Sequence, residues 1–395
     1  MRTDEIRRAS RVDLSAPSGR RSGCHDDQRS PHNVDISTYV DIDSFSMRDG
    51  MRSGNKKSTT VPRRVVRRYE PGAGAKLGVK TAKEDKPSKP VRYYKTKHGT
   101  AWLGDALDVL KSLDRRSVQA IVTSPPFALR TKKRYGNRAE HEYIDWFMSF
   151  VDEFKRVLAD DGSLAIELGG AWMPGSPIRS IYHFELLVKL VRNAGFFLAE
   201  ELYWFNRAKI PSPAQWVTID RVRVKDAVNV IWWLSKSNRP KANNRNVLRP
   251  YSPSMTKLIE SGGYNRGKRP SGWNVGERFT QDNGGAIPPN LIEVGNTGSR
   301  GPYHDYCREH ELELHPARFP PEVPEFLIKL LTEPGDLVLD PFGGSNVTGA
   351  VAEVLGRAWV TSELRHEYLD GSVGRFDPKT TGLRLLSGFR TLGRA

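Results

Sequence analysis

The sequence contains little cysteine and no long apolar segment. Its two cysteines among 395 residues, Cys24 and Cys307, are too few for a disulfide framework or for a zinc site built on cysteine. No apolar segment follows Met1, and no run of about eighteen apolar residues occurs elsewhere. We therefore expect neither secretion nor a membrane partner, and we predict a cytoplasmic protein without a bound metal.

Negative charge is also in short supply. The chain has 62 Lys and Arg against 46 Asp and Glu, a formal charge of +16, which favours a polyanionic partner such as nucleic acid. Residues 1–100 hold 23 of the basic and 12 of the acidic residues. Because this part is poor in aromatic residues, we predict that residues 1–92 form a disordered basic extension. Such an extension is either dispensable or a basic arm that adds nonspecific phosphate contacts.

An apolar strand is predicted at Val118–Val122, and the motif Thr123-Ser124-Pro125-Pro126-Phe127 follows it directly. Proline cannot donate to a sheet ladder or easily start a helix, so the strand must deliver its last side chains and carbonyls into a crevice. A hydroxyl, carbonyls held by fixed proline torsions and a flat ring suit a planar group that bears an NH2, such as a nucleobase. Taken alone, the motif is better explained as a turn that ends a strand.

A second motif lies far downstream. The short apolar strand Leu337–Asp340 runs into a glycine-rich turn, Phe342–Ser345, and a helix is predicted at Val347–Leu355. This is the pattern of a nucleotide-type strand–turn–helix unit. The next predicted strand, Ala358–Ser362, is followed by Glu363, 23 residues after the acid that ends the first strand. That distance is near the ~20 residues at which an acid reaches ribose hydroxyls in a doubly wound fold.

The order of these two motifs resembles that of the β-class amino-methylating DNA methyltransferases, in which an SPP[YF] catalytic motif precedes a DPFxGxG cofactor motif. The resemblance covers the chain from about Tyr93 to Phe376. Within that family the chain is similar to the PvuII-type cytosine-N4 modification methylases. The segments that carry the closer match are TSPPFALRTKKRYGN (Thr123–Asn137), HEYIDWF (His141–Phe147), RVKDAVN (Arg223–Asn229), DNGGAIPPNL (Asp282–Leu291) and HPARFP (His315–Pro320).

The resemblance implies an α/β fold, with the Rossmann-like sheet of a methyltransferase that depends on S-adenosylmethionine, circularly permuted as in the β class. We expect a catalytic part at 93–235, an inserted target-recognition region at 236–314, a cofactor-binding part at 315–376 and a C-terminal tail at 377–395. The hydrophobic periodicity agrees with alternating strands and helices and a closing antiparallel hairpin. Strands are predicted at Ala101–Leu103, Ser163–Leu168, Phe196–Phe205 and Ala227–Leu234, and helices at Ala106–Leu113, Tyr143–Leu158, Ile181–Asn193 and Glu322–Leu331.

The region between 235 and 315 is rich in Pro, Gly, Asn, Arg and Tyr and shows little periodicity. A stretch of that length without regular structure is usually functional or disordered. Its basic and aromatic residues suit phosphate contact and the reading of base edges, although any one of them also fits an ordinary solvated loop. These residues are Arg245, Arg249, Tyr251, Lys257, Tyr264, Arg266, Lys268, Arg269, Trp273 and Arg278.

The resemblance also implies the roles of the site residues. Ser124 and the carbonyl of Pro125 would accept hydrogen bonds from the target amine, with Pro126 completing the rigid corner. Phe127 would stack on a flipped base. The cofactor would be bound by Asp340, Phe342, Gly343, Gly344, Ser345 and Thr348, by Glu363 at the ribose, and by Asp105 near the adenine or the methionine amine.

The chain departs from the family pattern at Asn346, where glycine is common. Asparagine is the non-glycine residue that best tolerates the left-handed region, so we expect the turn to be preserved. The segment His315–Pro320 resembles the one that covers the methionine end of the cofactor. An ordinary capping loop is an equal alternative for its individual side chains.

Other chemistries fit the sequence less well. Methylation of cytosine carbon 5 requires a Pro-Cys nucleophile, and neither cysteine follows a proline. Deamination of a base requires a zinc set with Pro-Cys-x-x-Cys, which the sequence lacks. Adenine N6 methylation stays open, although that group usually has Asp at the position of Ser124. An inactive DNA-binding homologue, or a methyltransferase of protein or RNA, also stays open.

We therefore predict a modification methylase of a prokaryotic restriction-modification system, which acts on the N4 amine of cytosine in duplex DNA by base flipping. If the recognition region matches as well, the resemblance implies the site CAGCTG. The expected partners are double-stranded DNA and a cognate restriction endonuclease, the latter in function but not necessarily in physical contact. The enzyme is expected to act as a monomer.

Overall fold

The structure is a computed structural model that describes residues 89–128, 140–173, 175–262, 270–272 and 276–386. Residues 1–88 of the predicted extension lie outside these ranges, whereas the last residues assigned to it, Val91 and Arg92, already belong to the first strand. Within the described ranges, no helix is both long and apolar enough to cross a membrane.

The described residues form a single ten-stranded sheet with helices packed against it. The strands are β1 Val91–Lys95, β2 Gly99–Leu103, β3 Val118–Thr123, β4 Leu158–Leu168, β5 Phe197–Phe205, β6 Val228–Ser235, β7 Leu291–Glu293, β8 Leu337–Asp340, β9 Ala358–Glu363 and β10 Arg384–Leu385. The α-helices are α1 Ala106–Ser112, α2 Glu140–Val157, α3 Tyr182–Arg192, α4 Pro253–Ser261, α5 Pro302–Glu309, α6 Glu322–Leu331, α7 Val347–Val354, α8 His366–Ser372 and α9 Pro378–Thr381.

The strand order is β10-β1-β2-β9-β8-β3-β4-β6-β5-β7. In the run β2-β9-β8-β3-β4 each strand is parallel to the next. Strands β6 and β5 form the predicted antiparallel hairpin beside β4. Strands β8 and β9, which come late in the chain, lie between the early strands β2 and β3. This order confirms the predicted α/β fold with a permuted sheet.

Both faces of the central strands are buried. Every residue of β3 is buried, as expected for a continuous apolar run in a parallel sheet. Successive residues of β3 enter two separate cores, with Ala120 and Val122 beside α6 on one face and Ile121 beside α2 on the other. This double burial fixes the register of β3 and therefore the position at which its last residues leave the sheet.

The chain passes directly from α2 into β4, without the break between the helix predicted to end at Leu158 and the strand predicted to begin at Ser163. The pairing of β3 with β4 shifts register, because Val118 lies opposite Leu158 whereas Ala120 lies opposite Ser163. The polar residues therefore form an irregularity inside the strand instead of separating helix from strand. Tertiary pairing with β3 overrides the local turn signal.

Parts of the predicted target-recognition region belong to the body of the fold. Strand β7 extends the sheet beside β5, and Val247 and Ile292 are core residues. Helix α5 lies in the stretch that showed little periodicity, yet it buries Tyr303 and Cys307. Cys24 lies outside the described residues. Of the basic and aromatic residues predicted to contact DNA, Tyr264, Arg266, Lys268, Arg269 and Trp273 also lie outside them.

The first residues of the predicted C-terminal tail are part of the fold. Helix α9 follows Asp377, and β10 pairs with β1 through Tyr94 and Leu385. The sequence there is short and polar, so its order comes from pairing with a sheet edge. Residues 387–395 of the predicted tail lie outside the described residues.

Candidate active site

The serine-proline motif and the glycine-rich motif meet at one edge of the sheet. Strands β3 and β8 are parallel neighbours, so their carboxyl ends lie side by side. The Thr123 hydroxyl donates a hydrogen bond of 2.7 Å to Asp340 Oδ1, across 217 residues of sequence. Ligands of open α/β sheets bind outside the carboxyl ends of the strands. Both motifs therefore open onto the same crevice, as the sequence predicted.

A buried glutamate determines which way the Ser124 hydroxyl donates. Ser124 Oγ donates a hydrogen bond of 2.6 Å to Glu167 Oε2, and Asn229 Nδ2 donates one of 2.5 Å to the other carboxyl oxygen. Lys209 Nζ lies 3.4 Å from Asn229 Oδ1 and continues the network towards the surface. A serine hydroxyl has a single hydrogen. Because that hydrogen is used by Glu167, the lone pairs of Ser124 are left to accept hydrogen bonds.

Glu167 is only 2% exposed, and this burial raises its pKa from the ordinary 4.5 to about 7. The hydrogen bonds from Ser124 and Asn229 lower the pKa, but by less than burial raises it. The carboxyl group can therefore be either ionised or protonated near neutral pH. Such a group is suited to accept a proton during a reaction.

Neither Glu167 nor Asn229 was assigned a role from the sequence. A signal for Glu167 was present, because it is a carboxylate in an otherwise apolar run at the end of a predicted strand. Asn229 stands in the segment RVKDAVN, which carried the family resemblance without a role for this residue. What the sequence did not give was the order of β3, β4 and β6, which brings both side chains to Ser124.

The rest of the serine-proline motif lines the same corner. Pro125 is buried, whereas Ser124, Pro126 and Phe127 are half-buried and so reach the crevice. The Phe127 ring lies against Gly169, at the end of β4, where an added Cβ would come within 2.6 Å of the ring. Glycine at that position therefore makes room for the ring.

The glycine-rich turn has no space for side chains. A Cβ added to Gly343 would lie 1.9 Å from Thr361 Oγ1, and one added to Gly344 would lie 2.9 Å from His315 Nε2. Gly344 also adopts a left-handed conformation, with φ of 51°. The turn therefore packs tightly between β9 and His315, with the Gly343 amide bonded to the Ser362 carbonyl and the Gly344 amide bonded to Glu363.

The departure at Asn346 is accommodated as predicted. Its backbone is left-handed, with φ of 51° and ψ of 47°, and its side chain caps α7 by accepting a hydrogen bond from the Gly349 amide. The side-chain amide also donates a hydrogen bond of 2.9 Å to the Tyr94 hydroxyl. Asparagine here supplies both the turn and the helix cap, two functions that glycine alone would not combine.

Asp340 is held at the centre of the crevice by three donors. It accepts hydrogen bonds from the hydroxyls of Thr123 and Thr348 and from the Phe342 amide, and burial raises its pKa to about 6. Thr348 was predicted to offer its hydroxyl to the cofactor. The structure instead uses that hydroxyl to hold Asp340 and leaves Thr348 1% exposed. The reason is that the first turn of α7 faces back onto β8.

Glu363 and Asp105 lie at the neighbouring strand ends. Glu363 accepts hydrogen bonds from the amides of Gly344 and Arg365, and burial raises its pKa to about 7. Asp105 caps α1 through the Leu107 amide, and Gly104, just before it, donates to the Glu363 carbonyl. The two acids predicted to bind the cofactor are therefore brought to one place by β2 and β9.

The other predicted cofactor residues support the turn. The Phe342 ring packs against Trp146 and Phe150, with ring centroids 5.5 and 5.3 Å away. Ser345 is 3% exposed, and its hydroxyl accepts a hydrogen bond of 2.9 Å from Arg375. Phe342 is half-buried and reaches the crevice, whereas the Ser345 side chain points into the protein.

His315, in the segment that resembles the one covering the methionine end of the cofactor, packs against the glycine-rich turn. Its ring contacts Gly344, its Nδ1 faces the Ala317 carbonyl, and its amide donates to the Tyr303 hydroxyl. Burial lowers the pKa of His315 to about 4, so the ring is neutral at physiological pH. Within the described ranges, no group of three or more His, Cys, Asp or Glu side chains could hold a metal ion.

Comparison with known proteins agrees with this geometry. Residues 118–373 match a family model described as DNA methylase. The type II methyltransferase M.PvuII of Proteus hauseri is 50% identical over 285 residues, which cover 72% of this chain and 85% of that protein. The type II methyltransferase M.ScaI of Streptomyces caespitosus is 26% identical over 74% of this chain and 85% of its own length.

The fold is similar as well. The solved structure of a protein named PvuII DNA methyltransferase (cytosine-N4-specific) superposes with a TM-score of 0.58 at 43% identity, over 72% of this chain and 88% of that one. The family match spans well over half of the sequence, and its limits include both motifs of the crevice. The chain therefore belongs to the N6/N4 DNA methylase family.

Proposed function

We propose that this protein transfers a methyl group from S-adenosylmethionine to the exocyclic N4 amine of cytosine in duplex DNA. The observation that carries the proposal is the hydrogen-bonded pair of Ser124 and Glu167. The bond between Thr123 and Asp340 places this pair next to the glycine-rich turn. The likeness to M.PvuII, and to a structure named as cytosine-N4-specific, supports the choice of N4. The biological role is that of a modification enzyme in a restriction-modification system.

The crevice fits S-adenosylmethionine. Gly343 and Gly344 let the turn close tightly against Thr361 and His315, which gives the compact strand–turn–helix unit of a nucleotide-type site. Glu363, half-buried at the next strand end, is placed to accept hydrogen bonds from ribose hydroxyls. Asp340, Phe342 and Asp105 lie around the same turn, whereas Ser345 and Thr348 act by holding it. When bound, S-adenosylmethionine supplies an electrophilic methyl group on a sulfonium.

The chain's own residues prepare the amine. A ring-conjugated amine is a poor nucleophile, because its lone pair is delocalised into the ring. Ser124 Oγ, whose hydrogen is used by Glu167, accepts one N–H, and the Pro125 carbonyl accepts the other. These two acceptors turn the lone pair of the nitrogen out of conjugation and aim it at the methyl group. Positioning of this kind lowers the barrier without a covalent enzyme intermediate.

Glu167 completes the proton balance. Methylation leaves the N4 nitrogen with one proton more than the neutral product. That proton passes to Ser124 Oγ as the serine hydrogen moves to Glu167, so the carboxylate becomes a carboxylic acid. A carboxyl group with a pKa of about 7 accepts a proton readily and then releases it at neutral pH. Asn229 holds the second carboxyl oxygen throughout.

The target base must leave the helix to reach this corner. Extrusion of a base costs a few kcal/mol. Stacking on an aromatic ring is worth about 1 to 3 kcal/mol, and Phe127 is the half-buried ring beside Ser124. Stacking can therefore offset much of the cost of flipping.

We keep the predicted division of the chain, with a catalytic part up to 235, a target-recognition region at 236–314 and a cofactor-binding part from 315. Strand β1 extends the catalytic part back to Val91, and β10 extends the folded C-terminus to Leu385. In this proposal the enzyme acts as a monomer in a prokaryotic cytoplasm. Its recognition sequence is CAGCTG, and a cognate endonuclease shares that sequence without needing to bind the methylase.

Two measurements test the proposal. A plasmid propagated with the active gene should resist a nuclease that cuts at CAGCTG, and full cleavage would contradict the assigned site. Mass analysis of nucleosides from the same DNA should contain N4-methylcytosine, whereas N6-methyladenine would support the adenine alternative instead. The Ser124→Ala variant, which is expected to turn over more slowly, serves as the matched control. Absence of any methyl transfer by the wild-type protein would support an inactive DNA-binding homologue.

A further inference from the structure

The loop that joins β5 to β6, residues 206–227, begins and ends at the active site. We call it the hairpin loop. Phe205 and Val228 pair at its base, and Asn229, one residue further, donates to the catalytic-site carboxyl of Glu167. Lys209, inside the loop, lies within hydrogen-bond distance of the same asparagine. The loop therefore rises from the wall of the crevice that would receive the target base.

The hairpin loop is folded and anchored. A single helical turn at Gln215–Ile219 is closed by a side-chain bond of 2.8 Å from Gln215 to Asp220. The amides of Val222 and Arg223 both donate to the Trp216 carbonyl, at 3.0 and 3.2 Å. These bonds hold residues 215–223 as one compact tip.

Aromatic and ionic contacts tie this tip to the segment that follows β4. The Trp216 ring lies 5.8 Å from that of Trp172, and the Arg223 guanidinium lies over the same Trp172 ring at 3.9 Å. Arg179 pairs with Asp226 near the end of the loop. Since the segment after β4 begins at the active site, the tip has a fixed position relative to Ser124 and Glu167.

The tip nevertheless presents apolar side chains to solvent. Ile219, Val222 and Val224 are 65%, 62% and 84% exposed. Arg221, between them, has a φ of 55°, a conformation that non-glycine residues adopt rarely and at a cost. Single exposed apolar residues are common, but three within six residues on an anchored tip indicate a partner that covers them.

The charge of the hairpin loop identifies the partner. The loop has five basic and two acidic residues; the acid Asp226 is paired with Arg179 and the base Arg207 with Glu293, which leaves a basic excess. Apolar side chains surrounded by positive charge match duplex DNA, which has an apolar base stack between anionic backbones. Proteins that deform DNA insert apolar side chains between base steps and contact the adjacent phosphates with basic residues.

We propose that the tip of the hairpin loop, Ile219–Val224, enters the DNA duplex and occupies the space that the flipped cytosine leaves, with Arg221 on a neighbouring phosphate. The inference rests on the proposed function and adds the element that opens the duplex. The hairpin loop then opens the duplex, whereas the region after residue 235 reads the DNA sequence.

The test compares two DNA duplexes. One has the target cytosine paired with guanine, and the other has an abasic site opposite it, so that no base pair must be broken. The variant is the double substitution Val222→Ala with Val224→Ala, and the matched control is Val354→Ala. Val354 is 85% exposed and lies at the end of α7 away from the crevice. All three proteins are compared by single-turnover methyl transfer and by binding of S-adenosylmethionine.

On the paired duplex, the double variant should methylate roughly three- to tenfold more slowly than wild type, because less apolar surface fills the stack. On the abasic duplex it should stay within about twofold of wild type, since no base pair has to be broken and the cost of extrusion is much lower. The control should match wild type on both. Equal losses of the double variant on the two duplexes, or no loss on either, would overturn the inference. Wild-type activity on the paired duplex separately tests the proposed function.

Discussion

Replacing Glu167 with glutamine separates the chemistry of the site from its stability. Glutamine has nearly the same size, but it cannot take up the proton that methylation releases. Its amide would also donate to Ser124 or compete with Asn229, so the serine hydrogen is no longer drawn away from the substrate. General-base contributions are typically ~10²- to 10⁴-fold in rate. We expect Glu167→Gln to slow methyl transfer by roughly a hundredfold or more.

The same substitution should stabilise the fold at alkaline pH. Burial raises the pKa of Glu167 from 4.5 to about 7, so the folded protein disfavours the ionised form. The stabilising contribution of this group is fully present below pH 4.5 and is lost as the pH rises through 7. At about 1.4 kcal/mol per pKa unit, the wild type loses up to about 3 kcal/mol by pH 8. Glutamine does not ionise, so the variant avoids this loss of stability. Any weakening of the hydrogen bonds to Ser124 and Asn229 reduces the gain.

The experiment measures single-turnover methyl transfer between pH 6 and 9, and thermal unfolding at pH 5 and 8. In the wild type, the rate should rise with pH as Glu167 ionises near pH 7, whereas the glutamine variant should lack that step. The stability advantage of the variant should be present at pH 8 and nearly absent at pH 5. An unchanged rate of methyl transfer in the variant would refute the reasoning. So would a variant that is less stable than wild type at pH 8 but not at pH 5.

A matched control is available at a second buried glutamate. Glu353 is 6% exposed and accepts hydrogen bonds from Thr96 and from the Trp359 indole, at the far end of α7 from the crevice. Glu353→Gln should leave methyl transfer per folded molecule unchanged. A comparable loss of rate there would mean that any buried carboxylate matters, and not the one bonded to Ser124.

Three further substitutions address the other parts of the site. Ser124→Ala should reduce turnover while leaving the affinity for S-adenosylmethionine, measured by calorimetry, within about twofold, and an equal loss of both would contradict its role as an acceptor for the target amine. Gly344→Ala should abolish cofactor binding, because the added Cβ meets His315. The matched control is Gly262→Ala, which has a similar left-handed φ of 60° but open space around it. The control should bind the cofactor normally and lose only about 1 kcal/mol of stability. Thr123→Val leaves the buried carboxyl of Asp340 with one donor fewer, so we expect a loss of about 1 to 3 kcal/mol in unfolding free energy. The loss should be larger at pH 8 than at pH 5, because the carboxyl, with a pKa of about 6, is ionised at pH 8. Chemical denaturation at the two pH values checks this prediction.

Much of the fold could be predicted because local pattern and tertiary role agree. Helix α6 was predicted with its observed limits, since its apolar residues recur on one face, and the left-handed Asn346 followed from the side chain that tolerates that conformation. The predictions that differ are those in which distant residues decided. The break predicted between Leu158 and Ser163 became an irregularity within β4, because β3 pairs with β4 on both sides of it. The tail after Asp377 is folded because β1 offers a free edge.

The sequence by itself determined the two motifs, their order and the chemistry they could share, because prolines, glycines and an isolated serine impose their geometry locally. Only the tertiary structure decided what Ser124 can do. A hydroxyl is donor or acceptor according to its neighbours, and the neighbour here, Glu167, is brought to it by the pairing of β3 with β4. The same holds for Thr348, which was predicted to contact the cofactor. Because α7 packs on β8, its hydroxyl instead donates a hydrogen bond to Asp340. Local geometry is encoded residue by residue, whereas the direction of a hydrogen bond and the pKa of a buried acid depend on which distant strands become neighbours.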